Sequence, residues 1–294
     1  MKTILAATDF SKTGNNAVNY AASLALTIKS KLIVFHAYHS PIVVSETPIT
    51  ITAEDFMLEE KSNEQLDLMV DHIIKKFGTI LEVEYISIAG FASNEITDIA
   101  KEKNIDLVVI GTHETEKYGK HSDNNTLEIL KHNFLPILII PDKVEFNKID
   151  SIVYATDFIT IKDKSVLQPF IEIVSLFNSK ILIYNTQGNN TQYSLSELAA
   201  EGIELEETFE NLRHSYSLST NKNIINSMIE YAKTNQCGMI TMVKRHHNLF
   251  HRIFTASNTE QMALQTTLPL LILREATTIK SNSKIISSEQ YSNN

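Results

Sequence analysis

Two polar segments directly follow apolar runs in positions where they could present groups to a ligand: Thr8-Asp9 after Ile4–Ala7, and Gly111-Thr112-His113 after Leu107–Ile110. A glycine just beyond a buried strand lets the backbone come close to a phosphate, and a helix opening at Asn124-Asn125-Thr126 can turn unpaired N–H groups toward the same anion. The same residues also have a plainer reading, with Gly111 making a tight turn and Asn124 or Asn125 capping a helix. Covalent chemistry is not legible. The chain contains no G-x-S-x-G, no H-E-x-x-H, no glycine loop ending in Lys-Ser or Lys-Thr, and no paired cysteines. The single cysteine, Cys237, has only Gln236 and Gly238 as neighbours and reads as a buried, inert thiol. His36, near the end of the second apolar run, reads as a structural histidine rather than a general base. These absences weigh against an enzyme without removing one, because acid and base groups can converge from distant positions.

A second feature is the segment Lys244–Phe254, where Lys244, Arg245, His246, His247, His251 and Arg252 interleave with Leu249, Phe250, Ile253 and Phe254. Three readings compete for it. His247 and His251 would share a helix face, as metal ligands can, but no third ligand accompanies them. Arg and protonated His suit carboxylates and phosphates. The favoured reading has the apolar residues packing against a neighbouring domain or subunit, with the charges at the rim.

The elements that would position these groups come in a repeated order. Ile4-Leu5-Ala6-Ala7-Thr8-Asp9-Phe10 returns as Ile152-Val153-Tyr154-Ala155-Thr156-Asp157-Phe158, and Leu135-Pro136-Ile137-Leu138-Ile139 returns as Leu268-Pro269-Leu270-Leu271-Ile272. Strands are expected at Thr3–Ala7, Leu32–Ala37, Leu81–Ile88, Leu107–Ile110 and Ile137–Ile140. Helices fall between them, such as the stripe Ala17, Ala21, Leu24, Ala25 and Ile28. The second half repeats the alternation. Strands buried on both faces and separated by helices call for parallel pairing with right-handed crossovers. The expected fold is therefore α/β, with two tandem Rossmann-like domains, each a five-stranded parallel sheet with helices on both faces. Residues 1–142 form the first, residues 149–275 the second, and the polar tail 276–294 is left unstructured.

Composition narrows the partners. A net charge of −9 argues against wrapping nucleic acid or an anionic membrane, both of which need a basic face. No apolar run approaches the about 20 residues of a membrane helix, and the N-terminal apolar stretch is too short for a signal peptide, so a cytoplasmic location is expected. With 294 residues and 43% hydrophobic content, the chain can fill two separate cores.

The repeated A-T-D-F after the first strand, V-V-I-G-T-H at the fourth and L-P-I-L-I-I-P at the fifth resemble the universal stress protein family, in its tandem two-domain form. The resemblance implies domains that pair through their last strands, with homodimerisation of the chain as a further option, and a subclass that binds ATP through a G-x2-G-x9-G-[ST] loop. Laid on that loop, only Gly111 matches a glycine. Glu114 and Asn124 take the other two glycine positions, and Asn125 takes the hydroxyl position. By the same resemblance Asp9 approaches the adenine end and the backbone of Ala37 reads the base. Glu114 and Glu116 oppose triphosphate charge, with Lys117, Lys120 and His121 as a partial offset. In the second half Met242-Val243-Lys244-Arg245 replaces the glycine-led turn, and no phosphate cradle is legible. The expectation is a stress-response protein that works by binding, with weak ATP binding in the first domain. The alternative is a nucleotide-free interaction scaffold using residues 244–254, and the third reading is an enzyme acting on a phosphorylated or adenylated small molecule.

Overall fold

The computed structural model describes residues 1–39, 53–113, 124–156, 161, 163–186, 195–221, 223–244 and 256–275. Residues 40–52, Glu114, Glu116, Lys117, Lys120, His121, Asp157, Phe158, residues 245–254 and residues 276–294 lie outside the described residues.

In the first half the strands are β1 (Thr3–Ala7), β2 (Lys31–Tyr38), β3 (Val83–Ala89), β4 (Leu107–Thr112) and β5 (Ile137–Pro141). They alternate with α1 (Lys12–Ile28), α2 (Ala53–Phe77), α3 (Ala92–Lys103) and α4 (Asn124–His132). The second half repeats the order with β6 (Ser151–Ala155), β7 (Lys180–Thr186), β8 (His214–Ser219), β9 (Met239–Lys244) and β10 (Leu270–Arg274). Its helices are α5 (Gln168–Phe177), α6 (Leu195–Phe209), α7 (Ile224–Thr234) and α8 (Ala256–Gln265). A 3-10 turn, Lys164–Leu167, leads into α5 and carries Pro169 to the helix's first positions, where a missing N–H costs least. Among the described residues no helix is long and apolar enough to cross a membrane.

Within each half all strand pairs are parallel. The two five-stranded sheets join edge to edge as β3-β2-β1-β4-β5-β10-β9-β6-β7-β8. The seam is antiparallel, pairing Ile139 with Leu270, Leu138 with Leu271 and Ile137 with Ile272, all fully buried. The last strands therefore pair within the chain, as the resemblance implies.

The expectation of two separate cores needs correction. One apolar layer covers one face of the whole sheet, from Ile4, Ala21 and Leu66 to Tyr154, Phe170 and Phe209. A second covers the other face, from Leu5, Ile96 and Ile129 to Val153, Met228 and Met262. The physical reason is the seam itself: once β5 and β10 share a ladder, side chains on either side of it become neighbours on the same face. The connector adds to this layer, since Phe146 packs edge-on to Tyr20 of α1 at 5.1 Å and lies 6.0 Å from Phe177 of α5. Asn16 Nδ2 also donates to the carbonyl of Val144 at 3.0 Å.

Candidate functional site

In the order 3-2-1-4-5 the chain reverses direction of travel between β1 and β4, and an open parallel sheet offers a crevice beyond the carboxyl ends of those two strands. A cavity of about 110 Å3 lies there. Its lining brings together Thr8, Asp9, Ala37, Gly111, His113 and Thr126, with Asn125 beside them. Thr112 is not among the lining residues; strand alternation turns its side chain to the other face of the sheet, where it is buried. Asn124 opens α4, and its side chain lies outside the described residues.

The turn from β1 to α1 is closed by its own polar side chains. Thr8 N–H donates to Phe35 O at 2.9 Å, carrying the ladder one residue past the strand. The Thr8 hydroxyl accepts from Phe10 N–H at 3.0 Å, and the Asp9 carboxylate accepts from Ser11 N–H at 3.0 Å. Ser11 then caps α1 by accepting from Gly14 N–H at 3.1 Å. Phe10 is held at a φ of 62°, left-handed for a bulky residue, which costs on the order of 1 kcal/mol. Its ring rests 4.3 Å from that of His36.

Two glycines mark close approaches within this turn. A Cβ on Gly14 would lie 2.6 Å from Asp9 Oδ1 and 2.8 Å from Thr8 Oγ1, so the first turn of α1 rests on the repeated motif. A Cβ on Gly111 would lie 2.7 Å from the backbone carbonyl oxygen of Thr13. Close passage of α1 over β4 therefore accounts for Gly111, which stands inside the strand rather than in a turn after it.

Other polar groups around the cavity are already engaged. The Thr13 hydroxyl and His113 Nδ1 are 2.8 Å apart, and the Thr126 hydroxyl donates to Gly111 O at 3.1 Å. His36 Nδ1 lies 2.7 Å from Ser62 Oγ, itself 2.6 Å from Ser87 Oγ, so the imidazole is tied into a polar row between α2 and β3. Burial pulls its pKa down, and the charge of Asp9 opposes that in part, which suits the structural reading of this histidine. Sequence reasoning missed Ser11, Thr13, Gly14 and Phe35 as lining residues. The small pair Thr13-Gly14, leading into the alanine stripe of α1, was the available signal that the helix would press on the sheet.

The second half keeps the strand end and changes its surroundings. Thr156 N–H donates to Tyr184 O at 3.0 Å, as Thr8 does to Phe35, and Asn185 Nδ2 donates to Thr156 O at 2.9 Å. Val243 of β9 stands where Gly111 stands in β4, and it is buried. Among the described residues no group of three or more His, Cys, Asp or Glu side chains could hold a metal. Cys237 is buried, and burial pushes its thiol pKa up.

The model of the universal stress protein family matches residues 1–141. Universal stress protein A homolog 1 of Coxiella burnetii is 28% identical over 116 residues, spanning 38% of this chain and 76% of that protein. Through its first half, then, the chain is similar to the universal stress protein family. Likeness of fold extends over both halves. A universal stress protein structure from Archaeoglobus fulgidus DSM 4304 superposes with a TM-score of 0.68 at 15% identity, covering 94% of this chain and 97% of its own. A functionally unknown protein from Pseudomonas aeruginosa PAO1 superposes with a TM-score of 0.58 at 10% identity, over 94% and 93%.

Proposed function

We propose that the chain serves a stress response by binding rather than turnover, and that its first half takes an adenine nucleotide weakly, at the rim between β1 and β4. The observation that carries this reading is the convergence of Thr8, Asp9, Ala37, Gly111, His113, Asn125 and Thr126, drawn from three strands and a helix, on one cavity. Asp9 is exposed there, and its carboxylate retains acceptor capacity beyond Ser11 N–H, as a ribose or an adenine amino group requires.

Weakness follows from the same geometry. Pockets that enclose drug-sized ligands run to about 300–1000 Å3; at about 110 Å3 this one encloses only part of a nucleotide. The Thr126 hydroxyl is turned to Gly111 O, and the space beside Gly111 is filled by Thr13, so neither group is poised for a phosphate. The base and ribose are accordingly the parts expected inside.

Calorimetric titration with ATP tests the reading. Saturable heat that is reduced in Asp9→Ala supports it. Equal heat from wild type and Asp9→Ala rejects the site, and no heat with either rejects nucleotide binding.

A further inference from the structure

At the carboxyl ends of β9 and β10 lie cationic hydrogen-bond donors that outnumber their acceptors. Arg274 is 8% exposed, and its Nε and Nη2 have no hydrogen-bond partner. Lys244 stands beside it in register on the next strand, so both side chains point to the same face. Lys244 Nζ donates to Leu130 O, near the C-terminus of α4 and across the seam between the halves, at 3.0 Å. Three residues further, Asn133 is 1% exposed; its Oδ1 accepts from Leu135 N–H at 3.1 Å, and its Nδ2 has no partner. The antiparallel register that sets Ile272 against Ile137, extended along both strands, brings Arg274 level with Leu135. The guanidinium and ammonium thus stand side by side on neighbouring strands, and the register extended from the seam sets the Asn133 amide toward the same strand end.

Such an arrangement is unfavourable as it stands. A buried cation without a counter-charge carries a desolvation penalty, and an unsatisfied buried donor adds to it. The nearby carboxylate of Glu260 attracts Lys244 but forms no ion pair with it among the described residues, while Lys131 adds a third positive charge at a distance. Burial first, then the charge of Arg274, pushes Lys244 down to about 8; burial pushes Arg274 down to about 10. Chemically, what would satisfy the group is an acceptor with several oxygens and at least one negative charge. A phosphate-type oxyanion has both, and it fits the fork of an arginine.

We propose that Arg274, Lys244 and Asn133 form an oxyanion site for phosphate in the second half, at the seam with α4. It uses side chains on strand ends rather than a glycine loop, so the loss of the glycine at Val243 does not bear on it. The site also touches the first half. An anion that holds Lys244 braces Leu130 O at one end of α4, while Asn125 and Thr126 at the other end line the first-half cavity.

The test uses the full chain in a phosphate-free, chloride-containing buffer at constant ionic strength. Inorganic phosphate should raise the thermal midpoint in proportion to the logarithm of its concentration. In Arg274→Met the apparent affinity should fall about tenfold or more, the loss expected when a charge-assisted hydrogen bond is removed. Asp9→Ala should keep the full response, which separates this site from the proposed nucleotide pocket. A midpoint that moves no more with phosphate than with matched chloride, or an Arg274→Met response equal to wild type, overturns the proposal. If Arg274→Met fails to fold, broadening of the phosphorus NMR line of inorganic phosphate by wild type, relieved in Lys244→Met, supports the site, and an unbroadened line overturns it. In Asp9→Ala, AMP acting at lower concentration than phosphate identifies the anion as a nucleotide's phosphate, and equal potency identifies it as the free ion.

Discussion

The two halves share a strand order and differ in how closely the first helix of each lies on its sheet. In the first half Ala6 of β1 and Ala17, Ala21 and Ala25 of α1 are fully buried small residues, and Gly111 leaves room for the backbone of Thr13. In the second half the corresponding strand position is Tyr154, which packs with Phe170 and Phe209 at ring distances of 5.4 and 5.5 Å, and Val243 fills the place of the glycine. The helix starts differ as well: α1 opens at Lys12, soon after β1, whereas α5 opens at Gln168 after the 3-10 turn. Small residues thus let a helix N-terminus and the repeated Thr-Asp turn close around a cavity. In the second half aromatic rings take that space, and the longer basic side chains Lys244 and Arg274 stand at its strand ends.

The strongest way to break this contrast is to give the second half the alanine of the first. Tyr154→Ala removes the centre of the aromatic group and should destabilise the chain by about 3–5 kcal/mol in urea unfolding, as buried aromatic-to-alanine changes do. A loss under about 1 kcal/mol would mean that the three rings do not carry this core. Conversely, Gly111→Val gives the first half the second half's residue. Its Cβ would meet the Thr13 carbonyl oxygen, which is backbone and cannot rotate away. The expected loss is about 1–3 kcal/mol, together with weakened ATP heat, because α1 must lift off β4. An unchanged urea midpoint would refute the close-passage account of this glycine.

A smaller effect sharpens the comparison at the far ends of the same two helices. Both α1 and α5 end on a left-handed residue, Lys29 at φ 57° and Asn178 at φ 51°. Asparagine tolerates that conformation better than lysine, so Lys29→Gly should stabilise by roughly 0.5–1 kcal/mol and Asn178→Gly by less. Thermal midpoints of the two variants, measured side by side, check the order; the reverse order would contradict it.

Much of this was readable beforehand, for local reasons. The runs Leu32–Ala37 and Leu107–Ile110 are too short and too apolar for surface helices, and the alternation with amphipathic stretches forces parallel pairing. Element ends shifted by a residue or two, and where they shifted chemistry was missed. Leu270–Leu273 reads as a strand that stops before a charge, yet Arg274 continues it in the buried ladder with Lys244. A single sequence gives no sign that a guanidinium lies inside, because the seam that covers it pairs residues far apart in the chain. Gly111 shows the opposite difficulty: its position was legible, but the neighbour that requires it, Thr13, belongs to another helix and only the fold supplies it.

The antiparallel seam has a consequence for self-association. A single copy of this unit would present β5 as a bare sheet margin, open to an identical molecule; here β10 of the same polypeptide already occupies it. Further pairing of whole chains cannot reuse this seam, and its geometry will differ from the internal one. Because β5 and β10 run in opposite directions, the rims where each half gathers its polar groups also open on opposite sides, so one bound molecule cannot reach both.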